Sequence, residues 1–146
     1  MRSQLWLNYQ LCRQHTLDLL TKSFSYAGRE IFSQQIHPDF SPIGWHWGHI
    51  IYTQELWILR KTAKQNSIYD QRIDRLFSAD GLPKVERQNL PSCDWIMEYA
   101  DLVSDRLCNY LYSLSLGELQ TQERLWRWLL QHEAQHQETM AFLMQM

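Results

Sequence analysis

A chain of 146 residues that is 45% hydrophobic has the size and apolar content of a single domain, residues 1–146, built on one core. Its formal charge of -2, with 14 basic against 16 acidic residues and no long basic block, excludes nucleic-acid binding through a broad phosphate-facing patch. No apolar run is long enough to cross a bilayer and Met1-Arg2-Ser3-Gln4 opens no signal peptide, so the expectation is a cytoplasmic protein without membrane contact.

Only 5 glycines and 4 prolines occur, and Leu, Gln and Trp outweigh Val, a balance that favours helices over strands. The first predicted helix covers about residues 4–26. Leu5, Cys12, His15, Leu19 and Tyr26 recur at helical spacing as its buried stripe, with His15 read as a satisfied core histidine. Gly28 is the stop signal, and a loop carries His37 as a surface or pocket-rim group. Ser41-Pro42 opens a second helix that runs to about residue 64, Ser41 as cap and Pro42 at the first helical position. Its seam reads His49, Tyr52, Leu56 and Leu59. With Trp45, Trp47, Ile50, Ile51, Trp57 and Ile58 it is apolar on most sides, which predicts the most buried helix.

About residues 65–91 form a long polar connection with a short helix over 70–77 and a turn at Asp80-Gly81-Leu82-Pro83. Such a length suits a crossover between helices 2 and 3 of a bundle rather than a hairpin. Ser92 caps a third helix to about residue 114, with Ile96, Tyr99, Val103, Leu107, Tyr110 and Leu114 as its stripe. Ser115 and Glu118 have capping-box spacing for a fourth helix, whose stripe reads Leu125, Leu129, His132, His136, Met140 and Leu143. The three cysteines, Cys12, Cys93 and Cys108, are widely spaced and odd in number, and read as buried small hydrophobes.

Four of the 6 histidines fall in two groups, Trp45-His46-Trp47-Gly48-His49 and Gln131-His132-Glu133-Ala134-Gln135-His136. His132 and His136 stand one turn apart on one helical face, so both rings can reach a single ion. They take seam positions where leucine is expected, as His49 does, and histidines in a bundle core are costly unless each has a partner. A shared metal accounts for all three. His46, three residues before His49, is a fourth ligand, a group that hydrogen-bonds a ligand, or a substrate contact, with the last two favoured. His132-Glu133-Ala134-Gln135-His136 also fits the H-E-x-x-H string of zinc hydrolases, in which the glutamate is the base. The third imidazole, from a distant Trp-rich helix, weighs against that reading but leaves it open.

Ser41-Pro42-Ile43-Gly44-Trp45-His46-Trp47-Gly48-His49, with Glu55-Leu56-Trp57-Ile58-Leu59-Arg60, resembles the N-terminal domain of ergothioneine-type sulfoxide synthases. Gln131-His132-Glu133-Ala134-Gln135-His136-Gln137-Glu138-Thr139-Met140 is similar to that family's second signature. That domain lies in the DinB-like (DinB/YfiT) metalloprotein superfamily, so the resemblance implies an all-α, DinB-like four-helix bundle. It further implies a non-haem Fe(II) held by His49, His132 and His136, a small-molecule thiol substrate, and oxidative C–S bond formation with an imidazole compound, as in ergothioneine biosynthesis. Three neutral imidazoles leave the ion its full charge, which favours thiolate coordination, and they suit zinc, nickel or cobalt as well as iron. Glu55, Glu133 and Glu138 are candidates to orient the ligand rings.

Proteins of that family continue into a second domain resembling formylglycine-generating enzymes, which supplies much of the pocket and a catalytic tyrosine. The sequence here stops at Met146, so the expectation is a domain that draws on such a partner. Tyr52 and Tyr99 read as core packing rather than substitutes for that tyrosine. Two other classes stay open: a metal-dependent transferase of low-molecular-weight thiols, and a non-catalytic metal-binding or interaction module, a homo-oligomer included. Among the 7 tryptophans, Trp126 and Trp128 are the candidates for an exposed docking surface.

Overall fold

A computed structural model describes all 146 residues. It contains five α-helices and no strand: α1 Arg2–Ala27, α2 Ile43–Gln54, α3 Gln71–Phe77, α4 Cys93–Ser113 and α5 Leu116–Leu143. The four long ones, with α2 extended by a π-helical stretch Glu55–Thr62, make the all-α bundle, and α3 lies in the crossover. α5 packs against both α1 and α2, while α4 packs against α2 and, less closely, α1. No helix is long and apolar enough to cross a membrane.

α1 ends where expected, at Gly28 with φ 79°, whose amide bonds the Phe24 carbonyl at 2.8 Å. Its buried face is Leu5, Tyr9, Thr16, Leu20 and Ser23. The predicted stripe is therefore rotated by about one residue: His15 is exposed and Tyr26 is 84% exposed. Two hydroxyl residues hold inner positions because each finds a partner. Ser23 donates to the Leu20 carbonyl at 2.7 Å and Thr16 to Glu133 at 2.7 Å.

All residues of α2 are buried, as the apolar pattern predicts. Ser41 does not cap it. Its hydroxyl instead accepts from Arg87 at 3.0 Å, and the helix opens at Pro42, whose carbonyl takes the amides of Trp45 and His46. Beyond Gln54 the winding widens by a residue per turn. That widening turns Glu55 inward, where it accepts from the Tyr99 hydroxyl and from the Ile68 amide at 2.9 Å. It also leaves Trp57 at the surface, 38% exposed. Gly44 and Gly48 allow close packing of this helix: a β-carbon at Gly44 would overlap Phe32, and one at Gly48 would overlap the Phe77 ring.

The crossover carries α3, capped by Asp70, whose carboxylate accepts from the Arg72 amide at 2.9 Å. Trp45 Nε1 donates to the Leu76 carbonyl at 2.7 Å, and Arg60 grips Asp74 at 2.8 and 3.2 Å, so α3 is fastened onto α2 and its π extension. α4 starts at the Ser92 cap and buries Ile96, Tyr99, Ala100, Val103, Leu107 and Leu111. α5 opens with the predicted capping box of Ser115 and Glu118. It buries Leu119, Trp126, Leu129, Glu133, Gln137, Met140 and Leu143, which places His132 and His136 at the edge of its inner face rather than at its centre. Trp126 is wholly buried and is no docking residue, and the three cysteines are free and half-buried rather than core.

Candidate metal centre

α2 and α5 bring the two histidine groups together. One ring nitrogen from each of His49, His132 and His136 lies within 4.8 Å of the others, close enough to hold a metal ion. His49 Nε2 is 3.2 Å from His132 Nε2, and His136 Nε2 is 3.2 Å from the same atom. Metal–imidazole bonds of about 2.0–2.1 Å set two ligand nitrogens about 2.9–3.4 Å apart at right-angled or tetrahedral geometry. The two 3.2 Å separations match that range, and the third pair lies within 4.8 Å.

The far nitrogens decide which atoms face inward. His49 Nδ1 lies 2.6 Å from the Phe77 carbonyl oxygen, which can only accept, so Nδ1 carries the proton and Nε2 presents its lone pair to the cluster. His136 Nδ1 lies 2.8 Å from His46 Nδ1. His132 Nδ1 is buried with no partner, and its ring is stacked on Trp128 at 5.4 Å and 28°. His49 is braced from its face too. Trp45 stacks on it at 4.6 Å and 10°, and the Arg87 guanidinium sits 4.0 Å above Trp45. Arg87 is itself pinned by the carbonyls of Leu82 and Ala79.

Burial keeps all four rings neutral near pH 7. Desolvation, reinforced by neighbouring His49, lowers the pKa of His132 to about 4, that of His136 to about 2 and that of His46 to about 3. His49 is lowered by desolvation as well, against the opposing pull of its bond to Phe77. Neutral imidazole is the form that ligates a metal.

No carboxylate shares this site. Glu133 points to the other side of α5, into a buried knot of polar groups. It accepts from Thr16 at 2.7 Å, from Gln54 at 2.9 Å and from Arg13 at 3.3 Å, and Arg13 also donates to Gln54 at 2.7 Å. A glutamate so engaged is no base for a metal-bound nucleophile, and the zinc-hydrolase reading of the string falls with it. Glu55 is held by Tyr99 and Ile68, and Glu138 is exposed. The groups that meet the far nitrogens of His49 and His136 are instead a backbone carbonyl and His46. Tyr52 and Tyr99 are core residues, 6% and 0% exposed. His37 lies at the surface, its ring 5.5 Å from Phe40.

Two contacts of the cluster, the Phe77 carbonyl on His49 and the stacking of Trp128 on His132, escaped the sequence reading. The carbonyl of Phe77 has no sequence signature at all. Trp128 had one, since it precedes His132 by four residues and shares its face. It stays 45% exposed and meets Trp57 edge-on at 6.2 Å, so the cluster opens towards solvent along an aromatic rim. A cleft of about 550 Å³ lined by Tyr69, Leu76 and Trp95 includes none of these histidines.

A helical bundle whose inner histidines from two helices converge on one point defines a protein equipped to hold a metal ion. The chain belongs to the DinB superfamily, whose family match spans residues 10–140. That match reaches the superfamily, and the narrower likeness to sulfoxide synthases rests on the two motifs alone. Comparison with curated proteins gives no match.

Proposed function

We propose that His49, His132 and His136 hold a single Fe(II) and that the domain serves oxidative carbon–sulfur bond formation of the sulfoxide-synthase type. The observation that carries this reading is the wholly neutral donor set: three Nε2 atoms converge with no carboxylate near them. Bound there, the ion supplies undiminished positive charge for a thiolate and a site for O2 chemistry. In the balanced reaction, a thiol, an imidazole C–H and O2 give a sulfoxide and water.

The chain's own residues hold the neutral rings in place and form the rim. Trp128 flanks His132 on the solvent side, backed by Trp57, and a small thiol approaches along this rim. No tyrosine hydroxyl of this chain contacts the three rings, so a proton donor for the oxidative reaction comes from a partner domain of the formylglycine-generating-enzyme type. The same fact supports a second reading, in which the ion activates a low-molecular-weight thiol for transfer without O2, a reaction that needs no such tyrosine.

The test is metal analysis of protein purified without oxygen, then spectroscopy of the ferrous protein with nitric oxide, with and without cysteine. A stoichiometric iron–nitrosyl signal that shifts on adding cysteine is the expected result. Tightly held zinc with no response to cysteine would reject the iron reading in favour of a thiol transferase or a non-catalytic metal module, and thiol conjugation assays would separate those two.

A further inference from the structure

We infer that His46 is a positioning residue, which accepts the Nδ1–H of His136 and so fixes Nε2 as the atom that ring offers to the metal. The inference rests on the three-histidine reading proposed above. The two Nδ1 atoms stand 2.8 Å apart, so one proton lies between them. His136 Nε2 faces His132 Nε2 at 3.2 Å, inside the cluster. A lone pair there requires the ring's proton on Nδ1. The shared proton therefore belongs to His136, and His46 accepts it, carrying its own proton on Nε2.

His46 is not a fourth ligand. The nitrogen it presents meets the far edge of the His136 ring, and His46 falls outside the group whose nitrogens lie within 4.8 Å of one another. Packing holds it in place: the residue is 7% exposed and its ring meets Trp45 edge-on at 5.3 Å and 84°. His46 Nε2 is buried without a partner, and an unpaired buried donor is costly. A side chain chosen for stability alone would avoid that cost, since an apolar ring would fill the same space. Because His46 and His49 lie on one helix, α2 supplies one ligand and sets the orientation of another that belongs to α5.

The test is a Co2+ titration, read by visible absorption, of the wild type and of His46→Phe, His46→Asn and His136→Ala. His46→Phe keeps an aromatic ring but removes the acceptor, whereas His46→Asn restores one in its amide oxygen. The expected result is one Co2+ per chain in the wild type and a 10–100-fold weaker, spectrally altered site in His46→Phe. His46→Asn should recover part of both. Unchanged affinity and bands in His46→Phe would overturn the role. So would a drop in coordination number matching that of His136→Ala, which would make His46 a ligand. Long-range 1H–15N spectra of the Zn2+-loaded wild type give a second readout that needs no variant. They should show His136 as the Nδ1–H form and His46 as the Nε2–H form, and the opposite pair of forms would refute the assignment. A wild type that takes up neither ion would bring down the three-histidine reading itself, a result distinct from all of these.

Discussion

At His49, three separate contacts act on one ring. Phe77 fixes its tautomer, Trp45 its plane, and Gly48 lets α3 come close enough for the first of these. Gly48→Ala tests that arrangement, because the added β-carbon overlaps the Phe77 ring, and displacing that buried ring strains the α3 backbone that carries it. The expected cost is about 1–3 kcal/mol of stability, the range for overpacking a filled core. Metal affinity should fall as well, since the Phe77 carbonyl leaves the His49 ring. Urea unfolding and a Zn2+ titration of the variant measure the two effects, and intact affinity would show that the carbonyl does not orient the ligand. His132 and His136 are the simpler cases. Each supplies an Nε2 that nothing nearby can replace, so His132→Ala and His136→Ala should each abolish stoichiometric metal uptake. Full retention of metal by both variants would remove the site assignment.

At the scale of helices, α5 shows how its two inner edges divide the work. His132 and His136 face His49 of α2, whereas Glu133 and Gln137, each one residue further on, face α1. Gln137 donates to Thr16 at 2.8 Å and to the Cys12 carbonyl at 2.8 Å, while Glu133 gathers Thr16, Arg13 and Gln54. Glu133→Ala leaves the Arg13 guanidinium without its carboxylate and takes away the acceptor that Thr16 and Gln54 share. The expected loss is about 3–5 kcal/mol in a urea unfolding experiment, the range for breaking a buried ion pair. A loss under about 1 kcal/mol would mean that water replaces the carboxylate freely. This knot also explains what could be read from the sequence and what could not. Caps and stops depend on local chemistry, so Gly28, Ser92, Ser115 with Glu118, and α3 behind Asp70 stand where their residues predict. Two imidazoles at i and i+4, with a third from a distant helix, were legible for the same reason: their spacing constrains them. The rotation of α1 and the centre of the α5 face were not. Thr16 and Gln137 take inner positions through partners on other helices, and Glu133, a candidate ring-orienting group in the sequence, turns into that knot instead. The π-helical winding at Glu55–Thr62 likewise has no signature in the sequence, and the Tyr99 hydroxyl that bonds Glu55 comes from far along the chain.

For the molecule as a whole, the histidine cluster ties stability to pH. In the metal-free protein, burial lowers the pKa values of His46, His132 and His136 to about 3, 4 and 2, and lowers that of His49, from an ordinary value of 6.5. The unfolded chain therefore binds more protons than the folded one below pH 6.5, and the folded state loses stability as pH falls. The contribution of these rings is fully present above about pH 6.5. It shrinks progressively towards pH 3, at up to about 1.4 kcal/mol per pH unit for each histidine that stays neutral in the fold. A bound ion acts in the same direction, because it binds only the neutral rings of the folded state, and saturation at 100 times the dissociation constant adds about 2.7 kcal/mol. Urea midpoints of chelator-treated protein should fall steadily between pH 7 and pH 5, and Zn2+ should raise the midpoint at pH 7 far more than at pH 5. Carboxylates drawn into the acid transition would also appear in His49→Phe, whereas the histidine share would shrink in that variant, so the pair of slopes separates the two sources. A metal-free midpoint that stays flat over this range would mean that the four rings meet water in the folded protein. They would then take up protons freely, and the dry, neutral donor set on which the proposed thiolate binding depends would not exist.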